Sequence, residues 1–257
     1  MRQRGVGSGE WEVGAAAAES TRPPAAGTRP RAESGSSAHN REPSTRFASV
    51  VLDVDSTLAG IEGVDWLAAR RGAELAARVA ELTERAMQGA IPLDAVYGER
   101  LALIRPTRED VAALTAAYAA ALSPGAPAAL RRLRAAAVSV VLVSGGLREA
   151  ILPVAVELGF KGSDVHAVGV AFDEVGAFAG YDRASPLATQ AGKRAVVEAL
   201  ALPRPVLAVG DGSTDAAMRP AVDAFAAYVG FARREPVVRA ADFVVSSFEE
   251  LTELVLT

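Results

Sequence analysis

Short runs of β-branched and aliphatic residues recur along this chain at 50–54, 138–143, 206–209 and 242–245, with weaker runs near 165–172 and 225–229. Stretches of helical period lie between them, among them 127–137, 148–158 and 193–202. Parallel strands cannot be joined by tight turns; they need a crossover of roughly a dozen residues, usually a helix. Alternation of this kind therefore predicts an α/β fold, a Rossmann-like doubly wound parallel sheet covered on both faces. One interval breaks the rhythm. From 62 to 124 the pattern is helical throughout, in "VDWLAARRGAELAARVAELTERAMQG", "PLDAVYGERLALI" and "TREDVAALTAAYAAAL". An insert of that size after the first strand predicts a small helical cap domain, with 46–61 and 125–257 forming the core.

Residues 1–45 read differently, being rich in Gly, Pro, Ser, Ala and Arg and poor in β-branched and aromatic residues. Such a segment buries too little apolar area to offset its ordering entropy, so a disordered tail is expected. Its acids, Glu10, Glu12, Glu19, Glu33 and Glu42, argue against an organelle-targeting peptide. A net charge of −4 gives no reason to expect a nucleic-acid partner. With no cysteine, disulfides and thiolate chemistry are excluded. With two histidines, His39 and His166, a triad or histidine-rich metal site has little to draw on. No apolar run approaches the roughly eighteen residues of a membrane span, so no membrane partner and a cytoplasmic location are expected.

The predicted strands end in polar residues. The first delivers Asp53 and, two places on, Asp55; "VSVVLVSGG" delivers Ser144, Gly145 and Gly146; "PVLAVGDGSTD" delivers Asp211 and Asp215. Any one of these is an ordinary strand–helix turn, where Asp, Ser and Gly are common. Three together, at the carboxyl ends where open α/β sheets bind ligands, predict a site. Residues two apart on a strand face the same side, so Asp53 and Asp55 can reach one ligand. Calcium in an EF-hand loop fails, because positions six and twelve hold Leu58 and Val64 instead of Gly and Glu. Magnesium fits better, as a hard cation that takes one or two carboxylates and leaves room for a phosphate.

"DVDSTL", "VSGG", the lysine of "AGKRAVV" and "VGDGSTDAAM" resemble the four motifs of the haloacid dehalogenase superfamily, from about residue 47 to the C-terminus. With "IEGVDWLA" and "TERAMQGAIPLDAVYGERLALI" added, the chain is similar to the phosphoserine phosphatase family within it. That resemblance implies a haloacid dehalogenase-like core and Mg²⁺-dependent hydrolysis of O-phospho-L-serine, a small-molecule substrate, in serine biosynthesis. It implies Asp53 as nucleophile, Asp55 as proton donor and acceptor, and Lys193 and Ser144 as phosphoryl ligands. Mg²⁺ would be held by Asp53, Asp211 and the backbone carbonyl of Asp55, with Asp215 supporting the metal or the lysine. Glu62 would take the substrate's ammonium and Arg100 its carboxylate, beside Met87, Gly145 and Thr214. Thr214 stands where many relatives carry Asn, and Gln88 after the Met leaves room for a small change in the pocket.

Plainer readings stand beside these. Glu62 could be a helix N-terminal acid, Arg100 a surface residue paired with Asp94 or Glu99, and Lys193 a solvated helix start. Trp66, Tyr97 and Tyr118 read as packing, Arg233 and Arg234 as solvated, and His166 as structural. Transfer of the phosphoryl group to an alcohol such as homoserine, hydrolysis of a related phosphomonoester, or a non-catalytic phosphate pocket are the alternatives to phosphoserine hydrolysis. Either a monomer or a homodimer is compatible with the sequence.

Overall fold

The computed structural model describes residues 46–257, and the tail expected over 1–45 lies outside them. Six parallel strands form the central sheet: β1 (Ser49–Leu52), β2 (Ser139–Leu147), β3 (Val165–Val168), β6 (Val206–Gly210), β7 (Ala224–Tyr228) and β8 (Phe243–Val245). Their order is β3-β2-β1-β6-β7-β8. β1, β6 and β7 are buried at every position, which is why they read as continuous Val, Leu, Ala and Phe without polar alternation. Leu52 lies level with Leu142 on one side and Val209 on the other, so the neighbouring strands end close together.

From β1 the chain winds outward to β2 and β3, then returns to place β6 on the other flank of β1. The reversal opens a crevice between the carboxyl ends of β1 and β6, the usual ligand position in such sheets. Among the described residues, helices α5 (Ala126–Ala135), α6 (Arg148–Glu157) and α7 (Gly192–Leu200) supply crossovers. α7 stops two residues short of the predicted end because Ala201 takes a left-handed φ of 45°.

The weak run near 165–172 proves to be two strands. β3 ends at Val168, and β4 (Val170–Phe172) leaves the main sheet to pair antiparallel with β5 (Phe178–Tyr181). The Asp173 carboxylate accepts from the N–H groups of Val175 and Ala177, and Gly176 turns at φ 83°. β5, with its Phe-Ala-Gly-Tyr sequence, lacks the β-branched residues that mark a strand.

Between β1 and α5 the chain is helical: α1 (Gly63–Ala69), α2 (Ala73–Met87), α3 (Tyr97–Ile104) and α4 (Arg108–Ala120). The Thr107 side chain accepts from Asp110 N at α4's start while Asp110 accepts from Thr107 N, and Asp110 also pairs with Arg70 and Arg71 after α1. Where the insert enters and leaves, the two chain segments are bonded to each other, Gly60 N to Ala121 O at 2.8 Å and Ser123 N to Leu58 O at 2.9 Å. No described helix is long and apolar enough to cross a membrane.

Candidate active site

Asp53 directly follows β1, and its N–H continues the sheet by donating to Val209 O at 3.0 Å. Its carboxylate is therefore fixed by the backbone ladder, not by a mobile loop. Lys193, in the first turn of α7, places Nζ 2.6 Å from Asp53 Oδ1 and 2.7 Å from Asp215 Oδ1. All three side chains are buried. Burial opposes the lysine's charge, but Asp215 and Asp53 outweigh it and hold Lys193 firmly protonated. Burial, followed by the nearby Asp215, pushes the Asp53 carboxyl well above the usual carboxylate range against the pull of Lys193. A solvated lysine at α7's start is thus the wrong description of Lys193.

Asp211 follows β6, and Asp215 sits in the short helix α8 (Ser213–Ala216). Gly210 makes room for the Asp215 side chain, since a Cβ there would lie 2.1 Å from its carboxyl carbon. The second Asp215 oxygen accepts from Gly212 N at 3.0 Å. Asp53, Asp211 and Asp215 can present oxygens within 4.8 Å of one another. A buried, all-oxygen cluster of this kind suits a hard divalent cation, and no imidazole or thiolate is there to favour a softer one. Burial, then the charge of Glu62, drives the Asp211 carboxyl well above its ordinary range. A divalent cation would relieve that repulsion.

Asp55 turns its side chain another way. Oδ1 accepts from Gly63 N at 2.8 Å and from the Tyr118 hydroxyl at 2.6 Å. Burial, then Glu62, raises its carboxyl to about 6, against those two hydrogen bonds. Ser144 is buried near the end of β2, its Oγ accepting from Gly146 N at 3.0 Å, and the Tyr97 hydroxyl donates to Gly145 O at 2.8 Å.

The insert closes over this crevice. One cavity is lined by Asp53, Asp55, Lys193, Asp211, Gly145 and Thr214 from below and by Glu62, Val64, Met87, Leu93, Tyr97 and Arg100 from above. Its volume is about 40 Å³, room for a few waters. Glu62 accepts from the Ser56 hydroxyl at 2.7 Å, and burial raises its carboxyl. Arg100 is buried too, and pairs with neither Asp94 nor Glu99. Its Nη1 donates to Thr83 Oγ1 at 2.7 Å, its guanidinium lies 5.7 Å from the Tyr97 ring, and its Nε has no partner among the described residues. Gln88 turns out toward Glu84 on the surface.

One plain reading needs correction and another needs an addition. Arg234, expected to be solvated, is buried: Nη1 contacts Asp211 Oδ2, Nη2 lies 2.9 Å from Glu84 Oε2 on α2, and Glu62 is 3.9 Å away. Burial opposes its charge, yet Asp211 and Glu84 raise it further. Its neighbour Arg233 is exposed and pairs with Glu235, as expected. The warning sign was position, since Arg234 precedes helix α9 (Glu235–Ala240), where a cation opposes the helix dipole and needs an acid nearby. Tyr97 and Tyr118 do pack, and each hydroxyl also bonds a residue of the cavity wall, Gly145 O and Asp55 Oδ1 respectively, which an Ala-rich helical context does not disclose. His166 stays in β3, half-buried and outside the cavity.

A sequence profile of the haloacid dehalogenase-like hydrolases matches residues 47–223. The chain belongs to that family. Among its relatives, this haloacid dehalogenase-like hydrolase is 39% identical to the phosphoserine phosphatase of Homo sapiens over 206 residues, 79% of this chain and 91% of that protein. It is 36% identical to the chloroplastic phosphoserine phosphatase of Arabidopsis thaliana over 208 residues, 79% of this chain and 70% of that one. The crystal structure of a phosphoserine phosphohydrolase-like protein from Francisella tularensis superposes with a TM-score of 0.75 at 24% identity, covering 80% of this chain and 98% of that one. At that identity the likeness speaks for the fold.

Proposed function

We propose that this haloacid dehalogenase-like hydrolase cleaves O-phospho-L-serine to L-serine and phosphate with Mg²⁺ as cofactor. The observation that carries the reading is the single cavity in which the Asp53–Lys193 pair meets an arginine with an unpartnered donor. One end suits a phosphate, and the other suits the carboxylate of a small amino acid. The relatedness to phosphoserine phosphatases supports the same substrate.

Asp53, Asp211 and the backbone carbonyl of Asp55 would hold the Mg²⁺, whose charge, when bound, offsets that of the phosphoryl oxygens. Lys193 Nζ and Ser144 Oγ donate to phosphoryl oxygens and orient the phosphorus toward Asp53. An Asp53 oxygen attacks phosphorus, the bond from phosphorus to the serine oxygen breaks, and Asp55 gives that oxygen its proton. Water then attacks the aspartyl-phosphate at phosphorus. Asp55 takes the water's proton, the phosphorus–Asp53 bond breaks, and both carboxylates return to their starting state. A pKa near 6 lets Asp55 serve in both directions near neutral pH.

Residues 62–124 act as the cap in this reading, with 46–61 and 125–257 as the core. Glu62 meets the substrate ammonium, Arg100 the carboxylate, and Met87, Gly145 and Thr214 line the space between. A cavity of about 40 Å³ is too small for this substrate, so the cap must move to admit it. The test is phosphate release from L-phosphoserine, D-phosphoserine, phosphothreonine and p-nitrophenyl phosphate, with and without Mg²⁺. A strong preference for the first, abolished by chelation, is expected; equal rates on all four would reject the substrate assignment. Added homoserine that yields phosphohomoserine would point to transfer instead.

A further inference from the structure

Tyr118 lies in the last turn of α4, 1% exposed, its ring beside a small apolar cavity that it shares with Val54, Leu58, Leu122 and Ile151. Three residues later the chain is bonded to 57–60, which anchors this turn close to the core. The ring accounts for packing. The hydroxyl does more, because its 2.6 Å bond goes to Asp55 Oδ1. Gly63 makes room for it: a Cβ on Gly63 would lie 2.0 Å from the Tyr118 oxygen. The same Gly63 gives its N–H to the same Asp55 oxygen at 2.8 Å.

Oδ1 of Asp55 thus receives two donors, and a proton added there would face both of them. Oδ2 receives no hydrogen bond among the described residues, and it lies beside Gly146, where a Cβ would be 3.0 Å away. Asp55 also lines the cavity, whereas Tyr118 does not. We propose that Tyr118 is a positioning residue of the reaction: with the Gly63 N–H it occupies Oδ1, so that Asp55 carries its transferable proton on Oδ2, the oxygen that no protein donor holds. This rests on the proposed phosphomonoester hydrolysis. The phosphorus–oxygen bond of the ester breaks as the Oδ2 proton passes to the leaving oxygen, and the charge remaining on Asp55 is then held on Oδ1 by the two donors.

The test is Tyr118→Phe, which removes one oxygen and keeps the ring. Loss of a hydrogen bond to a charged group predicts a fall of about ten- to a hundredfold in kcat/KM for L-phosphoserine, whose alkoxide must be protonated to leave. The fall for p-nitrophenyl phosphate, whose leaving group needs no proton, should be at least about five times smaller. The quantity is kcat/KM because it covers only the steps through loss of the leaving group. In a series of substituted phenyl phosphates, the slope of log kcat/KM against leaving-group pKa should steepen in Tyr118→Phe, toward the slope of Asp55→Asn. Equal falls on both substrates, an unchanged slope, or undiminished phosphoserine hydrolysis would each overturn the proposal. Should the wild-type protein turn over other alkyl phosphates but not phosphoserine, the substrate reading fails while the slope still decides the role of Tyr118.

Discussion

Arg234→Met offers a direct measure of how the cation balance supports the folded site. Methionine keeps an unbranched stem in the space of the arginine's and removes the charge. Two carboxylates lose their partner, and they are not equivalent. Glu84 is about half exposed at 47%, so its pairing with Arg234 contributes at most about 1 kcal/mol. Asp211, whose side chain is 2% exposed, is left as a buried charge without a counter-ion, at a cost of about 3–5 kcal/mol. For a folded region of this size each kcal/mol moves Tm by about 2–4 °C, so the metal-free variant should melt about 6–20 °C below the wild type. Magnesium bound at Asp211, as proposed, would then supply the missing charge. Because Arg234 no longer competes for Asp211 Oδ2, the variant should also gain more from added Mg²⁺ than the wild type does. Differential scanning fluorimetry across a Mg²⁺ titration would show the two melting curves converging. A Mg²⁺-induced shift of equal size in both proteins would refute the reasoning, since it would mean that Arg234 and the cation do not share Asp211.

Three further outcomes follow from the site and its supports. Arg100→Ala should raise KM for L-phosphoserine about ten- to a hundredfold through lost charge-assisted hydrogen bonds, and KM for p-nitrophenyl phosphate far less; equal changes would remove Arg100 from substrate recognition. Asp53→Asn should lower kcat by at least about a thousandfold while circular dichroism and melting remain close to wild type, because the substitution keeps the shape and relieves carboxylate crowding. Asp110, held well below the usual carboxylate range chiefly by its Arg71 hydrogen bond, has a folded pKa below its unfolded one. Its stabilisation is complete above about pH 4 and lost as pH falls, so Asp110→Ala should cost about 1–2 kcal/mol at pH 7 and progressively less toward pH 2 in thermal unfolding.

What could be read from the sequence and what could not divides along a physical line. Asp53, Ser144 and Asp211 were legible because parallel strands are buried on both faces, and a polar residue ending such a run stands out. Lys193 was legible for a related reason: a cation in the first turn of α7 opposes the helix dipole and points to an anion beside it. The same test applied to Arg234, which precedes α9, but its neighbours Arg233 and Glu235 made it look like part of a solvated charge cluster. Only the fold shows that Glu84, 150 residues earlier in the chain, comes to meet it. The hairpin of β4 and β5 escaped because β5, Phe-Ala-Gly-Tyr, carries no β-branched residue, and because the run that holds β4 also holds β3. For Tyr118 the ring's burial was readable from helical spacing, whereas the direction of its hydroxyl depends on the gap left by Gly63.

Charge also bears on the place of a cation in the proposed mechanism. Around the cavity stand five carboxylates, on Asp53, Asp55, Glu62, Asp211 and Asp215, and three cations, on Arg100, Lys193 and Arg234. Even with Asp55 protonated, the formal balance is negative before a phosphate dianion arrives. Two like charges 4 Å apart repel by about 4 kcal/mol at an effective dielectric of 20, and the dianion must approach Asp53 more closely than that. Lys193 cannot offset this alone, because Asp53 and Asp215 already share its charge. Arg234 and Arg100 stand at other points of the site, against Asp211 and near Tyr97. In the proposed reaction the fixed side chains therefore disfavour attack by themselves, and a divalent ion held at Asp53 and Asp211 would supply the positive charge they lack.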